Sequence, residues 1–133
     1  MKILIVEDDF VSRNVLQRYL AEFGQCDIAI DGQEAVDAFK RAWGESSPYE
    51  LICMDIMMPN LNGHEALIQI RDFEEQMGLG SDAEVKVIMT TALNDKKSVS
   101  DAFYKGAASS YLVKPIDRDK IVEELRLLGL IQA

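Results

Sequence analysis

Short apolar runs alternate along the chain with stretches whose apolar residues recur every three or four positions. The runs fall at residues 3–6, 27–30, 51–54, 85–89 and 111–113, and most are rich in Ile, Val or Leu. Runs this short, without polar alternation, read as strands buried on both faces of a parallel sheet. Between the first two, Phe10, Val11, Val15, Leu16, Tyr19, Leu20 and Phe23 share the inward face of a predicted helix, and Gly24 stops it. A second helix is predicted over 33–43, with Ala35, Val36 and Phe39 inward and Trp43 covering its seam. A third runs over 63–77, carrying Ala66, Leu67, Ile70 and Phe73. A fourth covers 96–105 and ends at Gly106. The last starts at Asp117, which can cap free amides, and buries Ile121, Val122, Leu125 and Leu128 before Gly129.

The order is strand then helix, five times over. Right-handed crossovers then give one doubly wound α/β domain, a parallel sheet with helices on both faces. Five units are too few for a closed eight-stranded barrel. The polar connections at 44–50 and 78–84 are expected to be surface excursions. A length of 133 residues suits one domain, 1–133. The chain stops straight after the last helix, so no output domain is expected.

Charge narrows the partners. Acidic residues outnumber basic ones by 23 to 14, for a net charge of −9. That argues against a nucleic-acid face and against adsorption to an anionic membrane. No apolar run approaches the ~18 residues that span a bilayer. The first run meets acid after four residues, unlike a signal peptide. Cys26 and Cys53 fit no metal spacing and are expected to be reduced cytoplasmic thiols.

Open α/β sheets bind ligands beyond the carboxyl ends of their strands. The first strand ends in Glu7, Asp8 and Asp9, the third in Asp55, the fourth in Thr90, Thr91 and Ala92, and the fifth in Lys114 and Pro115. If the first and third strands are neighbours, three or four carboxylates meet there. Like charges so placed repel, and a hard divalent cation relieves them. Magnesium is favoured, because no calcium-loop pattern is present. One acceptor carboxylate, a cation, Lys114 and a Thr91 hydroxyl suit a phosphoryl group. No GxxxxGK[ST] loop cradles a nucleotide, so the phosphoryl group would come from another donor and rest on a carboxylate as an acyl phosphate.

With ILIVEDD, MDIMMPNLNG, MTTA and GAASSYLVKPI in that order, the chain resembles the receiver domain of two-component response regulators, above all their single-domain chemotaxis members. The resemblance implies a flavodoxin-like sheet in the order 2-1-3-4-5 with five helices. It implies Asp55 as phosphoacceptor, Glu7 and Asp8 as the acidic pair holding Mg2+, and the backbone carbonyl of Met57 as a further ligand. Lys114 would contact phosphoryl oxygens, Thr91 would move to them, and Tyr111 would follow Thr91. The Lys114–Pro115 bond resembles the family's cis bond. The implied donor is a phosphohistidine on a sensor histidine kinase or a histidine phosphotransfer protein. The implied target face combines the fourth helix, the fifth strand and the fifth helix, here with Lys96, Lys97, Tyr104, Lys105 and Asp119. Such a chain is a signalling switch, not an enzyme, with self-phosphorylation and weak autophosphatase activity.

Other functions fit less well. A haloacid-dehalogenase-type phosphatase needs a second aspartate where Met57 stands. A flavin mononucleotide carrier needs a hydroxyl-rich loop where EDDF stands. A receiver that only docks would have no use for the acceptor, acidic pair and lysine together. His64, the only histidine, is expected to be a solvated residue at the start of the third helix.

Overall fold

The computed structural model describes residues 1–92 and 108–132. Its elements are β1 (Lys2–Val6), α1 (Phe10–Leu20), β2 (Gln25–Ala29), α2 (Gly32–Gly44), β3 (Leu51–Asp55), α3 (Gly63–Gln76), β4 (Lys86–Thr91), β5 (Ser110–Val113) and α4 (Arg118–Leu127). The sheet has five strands in the order β2-β1-β3-β4-β5, all parallel. This is the expected doubly wound order. The helix expected over 96–105 lies outside the described residues, as do Lys96, Lys97, Tyr104 and Lys105. Four helices are present among the described residues.

The central strands carry unbroken apolar runs because each face has its own core. In β1, Leu4 and Val6 join Phe39, Ile52, Ile70 and Met89 under α2 and α3. Ile3 and Ile5 point the other way, to Leu16, Leu20, Ile88 and Leu125 under α1 and α4. Successive side chains of a strand alternate between faces, so two cores need an unbroken apolar run. Trp43 packs partly buried against the first core, as its seam position suggested.

Each helix begins on a capping side chain. Asp9, Asp31, Asn62 and Asp117 accept the amides of Ser12, Glu34, Glu65 and Lys120. Asn62 and Glu65 form a reciprocal capping box. These caps fix where chain leaves the strand ends and enters each helix, which is where the site lies.

Helix α1 departs from expectation. It buries Leu16 and Leu20 but leaves Phe10 and Val11 65% and 67% exposed. It also stops at Leu20, short of Phe23. Its first turn lies outside the core that its later turns cover, and Phe10 there has the Arg13 guanidinium 5.5 Å over its ring.

Gly63 opens α3 against the end of β3. A Cβ at this position would sit 2.5 Å from the Asp55 carbonyl oxygen and 2.9 Å from the Ile56 Cα. Backbone cannot yield as a flexible side chain can. Gly63→Ala is therefore expected to cost about 1–3 kcal/mol of stability, the usual penalty for overpacking. Urea unfolding measures it, and a variant as stable as the parent would contradict this packing.

Candidate functional site

The chain crosses from β1 to β2 on one side and then passes back over β1 to β3 on the other, so the sheet order changes direction there. A crevice opens above the carboxyl ends of β1 and β3 at such a point. Glu7 and Asp8 follow β1, and Asp55 ends β3. Carboxylate oxygens of Glu7, Asp8 and Asp55 lie within 4.8 Å of one another. Glu7 is fully buried, Asp55 is 6% exposed and Asp8 is exposed.

The strand ends are tied together by backbone. The Ile56 amide donates to the Thr90 carbonyl at 3.0 Å, and the Lys114 amide donates to the Thr91 carbonyl at 2.7 Å. These bonds hold the exits of β3, β4 and β5 level. Lys114 precedes a cis bond to Pro115, in line with the resemblance. Its ammonium reaches Glu7 Oε1 at 2.6 Å and Asp55 Oδ2 at 3.4 Å. The other Glu7 oxygen accepts the Asp9 amide at 3.2 Å. Asp55 Oδ1 accepts the Met57 amide at 3.3 Å.

Lys114 pairs with Glu7 and Asp55, and the Glu7 and Asp8 carboxyls beside it titrate high. Burial pushes the Glu7 carboxyl above its ordinary range; the Lys114 hydrogen bond opposes this and the Asp55 charge adds to it. Asp8 is also raised, by desolvation first and then by Glu7. Burial pulls the Lys114 ammonium down, but its hydrogen bond to Glu7 and the charges of Asp55 and Glu7 hold it above its usual value. An all-oxygen donor set with surplus negative charge fits a hard divalent cation. Glu7, Asp8, Asp55 and the Met57 carbonyl are the groups that would hold it.

Thr91 is buried at the end of β4, its hydroxyl 3.3 Å from the Ala92 carbonyl. Tyr111 is partly exposed on β5 and pairs in register with Met89, two residues before the pair of Val113 with Thr91. The expected acceptor, acidic pair and lysine thus come together, while Tyr111 stands farther along the neighbouring strand. Met57 projects its side chain into solvent. His64 is not solvated as expected: both ring nitrogens are buried without a hydrogen-bond partner.

Two features beside the site carried no sequence signal. One is a groove of about 390 Å³ lined by Val11, Val15, Pro115 and Ile116 next to Glu7 and Lys114, with exposed Phe10 preceding Val11 on the same helix turn. The other is a hydrogen bond from Asn60 to Asp31, which joins the β3–α3 loop to the start of α2. Both depend on where separate elements meet.

Comparison with known proteins agrees with this geometry. The chemotaxis protein CheY of Treponema pallidum is 34% identical over 126 residues, covering 93% of this chain and 79% of that one. The osmolarity two-component system protein SSK1 of Saccharomyces cerevisiae is 30% identical, and there the match covers 21% of a longer protein. Among solved structures, the S. cerevisiae complex of the histidine phosphotransfer signaling protein Ypd1 with the receiver domain of its downstream response regulator Ssk1 matches with a TM-score of 0.83. The identity is 35%, covering 100% of this chain and 91% of that one. The CheX-CheY-BeF3-Mg2+ complex of Borrelia burgdorferi matches with a TM-score of 0.81 at 29% identity, covering 97% and 89%. The sequence model of the response regulator receiver domain matches residues 3–126, and the chain belongs to that family.

Proposed function

We propose that this receiver takes a phosphoryl group from a phosphohistidine onto Asp55, with Mg2+ bound by Glu7, Asp8, Asp55 and the Met57 carbonyl. The observation that carries the reading is the convergence of Asp55 with Glu7, Asp8 and Lys114 at the β1/β3 crevice. An Asp55 oxygen attacks phosphorus as the bond to the donor imidazole nitrogen breaks, and the electron pair returns to the imidazole. Water later attacks the same phosphorus, releasing inorganic phosphate and restoring the carboxylate. Bound Mg2+ would offset charge on the phosphoryl oxygens. Lys114, already 3.4 Å from Asp55, supplies the fixed positive charge. Thr91 donates its hydroxyl to the new anion, and Tyr111 turns to follow it. The face of β5 and α4, continued by the helix expected over 96–105, then changes for a downstream protein. The proposed setting is cytoplasmic, as for the chemotaxis relatives.

Acetyl phosphate with Mg2+ is expected to add one phosphoryl group by intact mass, and Asp55→Ala to add none. Labelling that persists in Asp55→Ala would remove Asp55 as acceptor. Should the parent refuse both acetyl phosphate and phosphorylated kinase domains, it would be a docking module instead.

Mg2+ should stabilise the fold by about 2.7 kcal/mol at a hundred times its dissociation constant. Glu7 and Asp8 bind protons more tightly folded than unfolded. Without the cation, their contribution to stability is greatest below the ordinary carboxyl range and is lost as pH rises through the raised values. The cation competes for the same oxygens, so its stabilising effect should grow as pH rises through those raised values. Asp8→Asn should lose most of that effect while remaining as stable as the parent in chelator. Thermal melts with and without Mg2+ check both points, and a pH-independent shift would count against the site.

The apolar rim at Phe10, Val11, Pro115 and Ile116 is the proposed seat for the phosphohistidine donor, because it flanks the acceptor. Phe10→Ser with Val11→Ser should slow transfer from a phosphorylated histidine phosphotransfer domain about tenfold or more, the loss expected for contact hot spots. Labelling by acetyl phosphate should not change. Equal slowing with both donors would place the effect on the chemistry and not on docking.

A further inference from the structure

The loop between β3 and α3 is held on two sides. On the acceptor side, the Gly63 amide donates to the Ile56 carbonyl at 2.8 Å. On the outer side the loop rests on the start of α2. Asp31 divides its carboxylate between two tasks: Oδ1 accepts the Glu34 amide at 2.8 Å and caps α2, and Oδ2 accepts the Asn60 side-chain amide at 2.9 Å. One residue further along each segment, the Gly32 amide donates to the Leu61 carbonyl at 2.9 Å. The approach is so close that a Cβ on Gly32 would run into that carbonyl. Asn60 has a φ of 66°, a left-handed conformation that asparagine tolerates better than most residues.

The start of α2 is itself anchored to the site. The Ile30 amide donates to the Glu34 carboxylate at 3.2 Å, and the Glu7 amide donates to the Ala29 carbonyl at 3.0 Å. The strand end that bears Glu7, the cap of α2 and the loop that bears Met57 therefore form one hydrogen-bonded frame.

We propose that Asp31 and Asn60 are positioning residues of the cation site, their hydrogen bond setting where the Met57 carbonyl points. The proposal rests on the reading of that carbonyl as a ligand. Magnesium demands near-octahedral geometry, so a carbonyl that drifts weakens binding. Met57 lies three residues before Asn60, on a loop that sheet and helix pairing do not hold. Its amide is tied to Asp55 Oδ1 at 3.3 Å, and the rest of its aim is set by what fixes the far side of the loop. Asp31 fixes it from another element without touching the cation.

Two variants remove the clamp and spare its other duties. Asp31→Ser keeps a capping oxygen for α2 but has no second one for Asn60. Asn60→Gly keeps the left-handed backbone and drops the donor. Mg2+ is titrated into each unphosphorylated protein by calorimetry, beside the parent and Asp8→Asn, and amide hydrogen exchange is read across residues 57–61 and α2. Both variants should weaken Mg2+ binding about tenfold, as loss of an outer-shell partner does. Exchange should quicken in the loop and stay unchanged in α2. The double variant Asp31→Asn/Asn60→Asp exchanges donor and acceptor, and should recover most of the affinity lost in Asn60→Asp alone. Parent-like Mg2+ binding in both clamp variants would overturn the proposal. A parent that binds no Mg2+, or an Asp8→Asn variant that binds it as well as the parent, would overturn the cation site itself and the clamp's role with it.

Discussion

The site depends on one ion pair, Lys114 to Glu7 across 2.6 Å. Glu7 is fully buried, and a buried carboxylate without a partner would be too costly to keep ionised. Its partner comes from the far end of the chain, beyond β5. Strands β3 and β4 lie between β1 and β5 in the sheet. Lys114 can reach Glu7 only when all of these strands are in place and their ends are level. The charge balance of the site is thus a report on the whole fold. The pair contributes little net stability, since desolvation offsets most of the attraction. Its larger effect is to hold a cation beside Asp55.

That cation is shared unevenly. Lys114 lies closer to Glu7 than to Asp55, and three carboxylates draw on it. A single positive charge leaves the cluster short, and burial first, then neighbouring carboxylates, hold the Glu7 and Asp8 carboxyls above their ordinary range. The same shortage makes the site receptive to a divalent ion. On the proposed reading, turning the Asp55 carboxylate into an acyl phosphate would replace one negative charge with about two, spread over three strong acceptor oxygens. Lys114 would then have a stronger partner within reach than Glu7 alone. Phosphorylation of Asp55 would so loosen the hold that β5 has on β1.

Much of this was legible in the sequence, for a definite reason. Strands buried on two faces leave unbroken apolar runs, and strand ends in an open sheet are where chemistry collects. Glu7, Asp55 and Lys114 could therefore be placed together from runs such as ILIV and YLV before any geometry was known. What stayed hidden depends on where separate elements meet. Helical period puts Phe10 and Val11 on the apolar face of α1, but period does not tell that the first turn lies outside the core. The connection at 44–50 read as a surface excursion, yet it returns Tyr49 to the core, where its hydroxyl donates to Asp27 at 2.7 Å. Glu74 looks like one more acid on α3, but it is buried, accepting the Val85 amide at 2.7 Å and pairing with Arg71. Asp31 and Asn60 meet across 29 residues, and neither belongs to an informative spacing.

The hydrogen bonds around the site are distributed unevenly, and this bears on how a switch could work. On the β1 and β3 side, Asp9, Asp31 and Asn62 each cap a helix, and Gly32 and Gly63 lock the loop against carbonyls. Movement there would break several bonds at once. On the β4 and β5 side, among the described residues, the Thr91 hydroxyl lies 3.3 Å from its neighbour's carbonyl, and Lys114 spans two acids at unequal distance. Rearranging these groups exchanges one weak contact for a charge-assisted one, which favours the new arrangement once charge arrives. A ligand shifts an equilibrium only by its differential interaction with the two states. On the proposed reading, the side held by these caps presents Asp55 alike in both states, and the difference arises at Thr91 and Lys114, at the ends of β4 and β5.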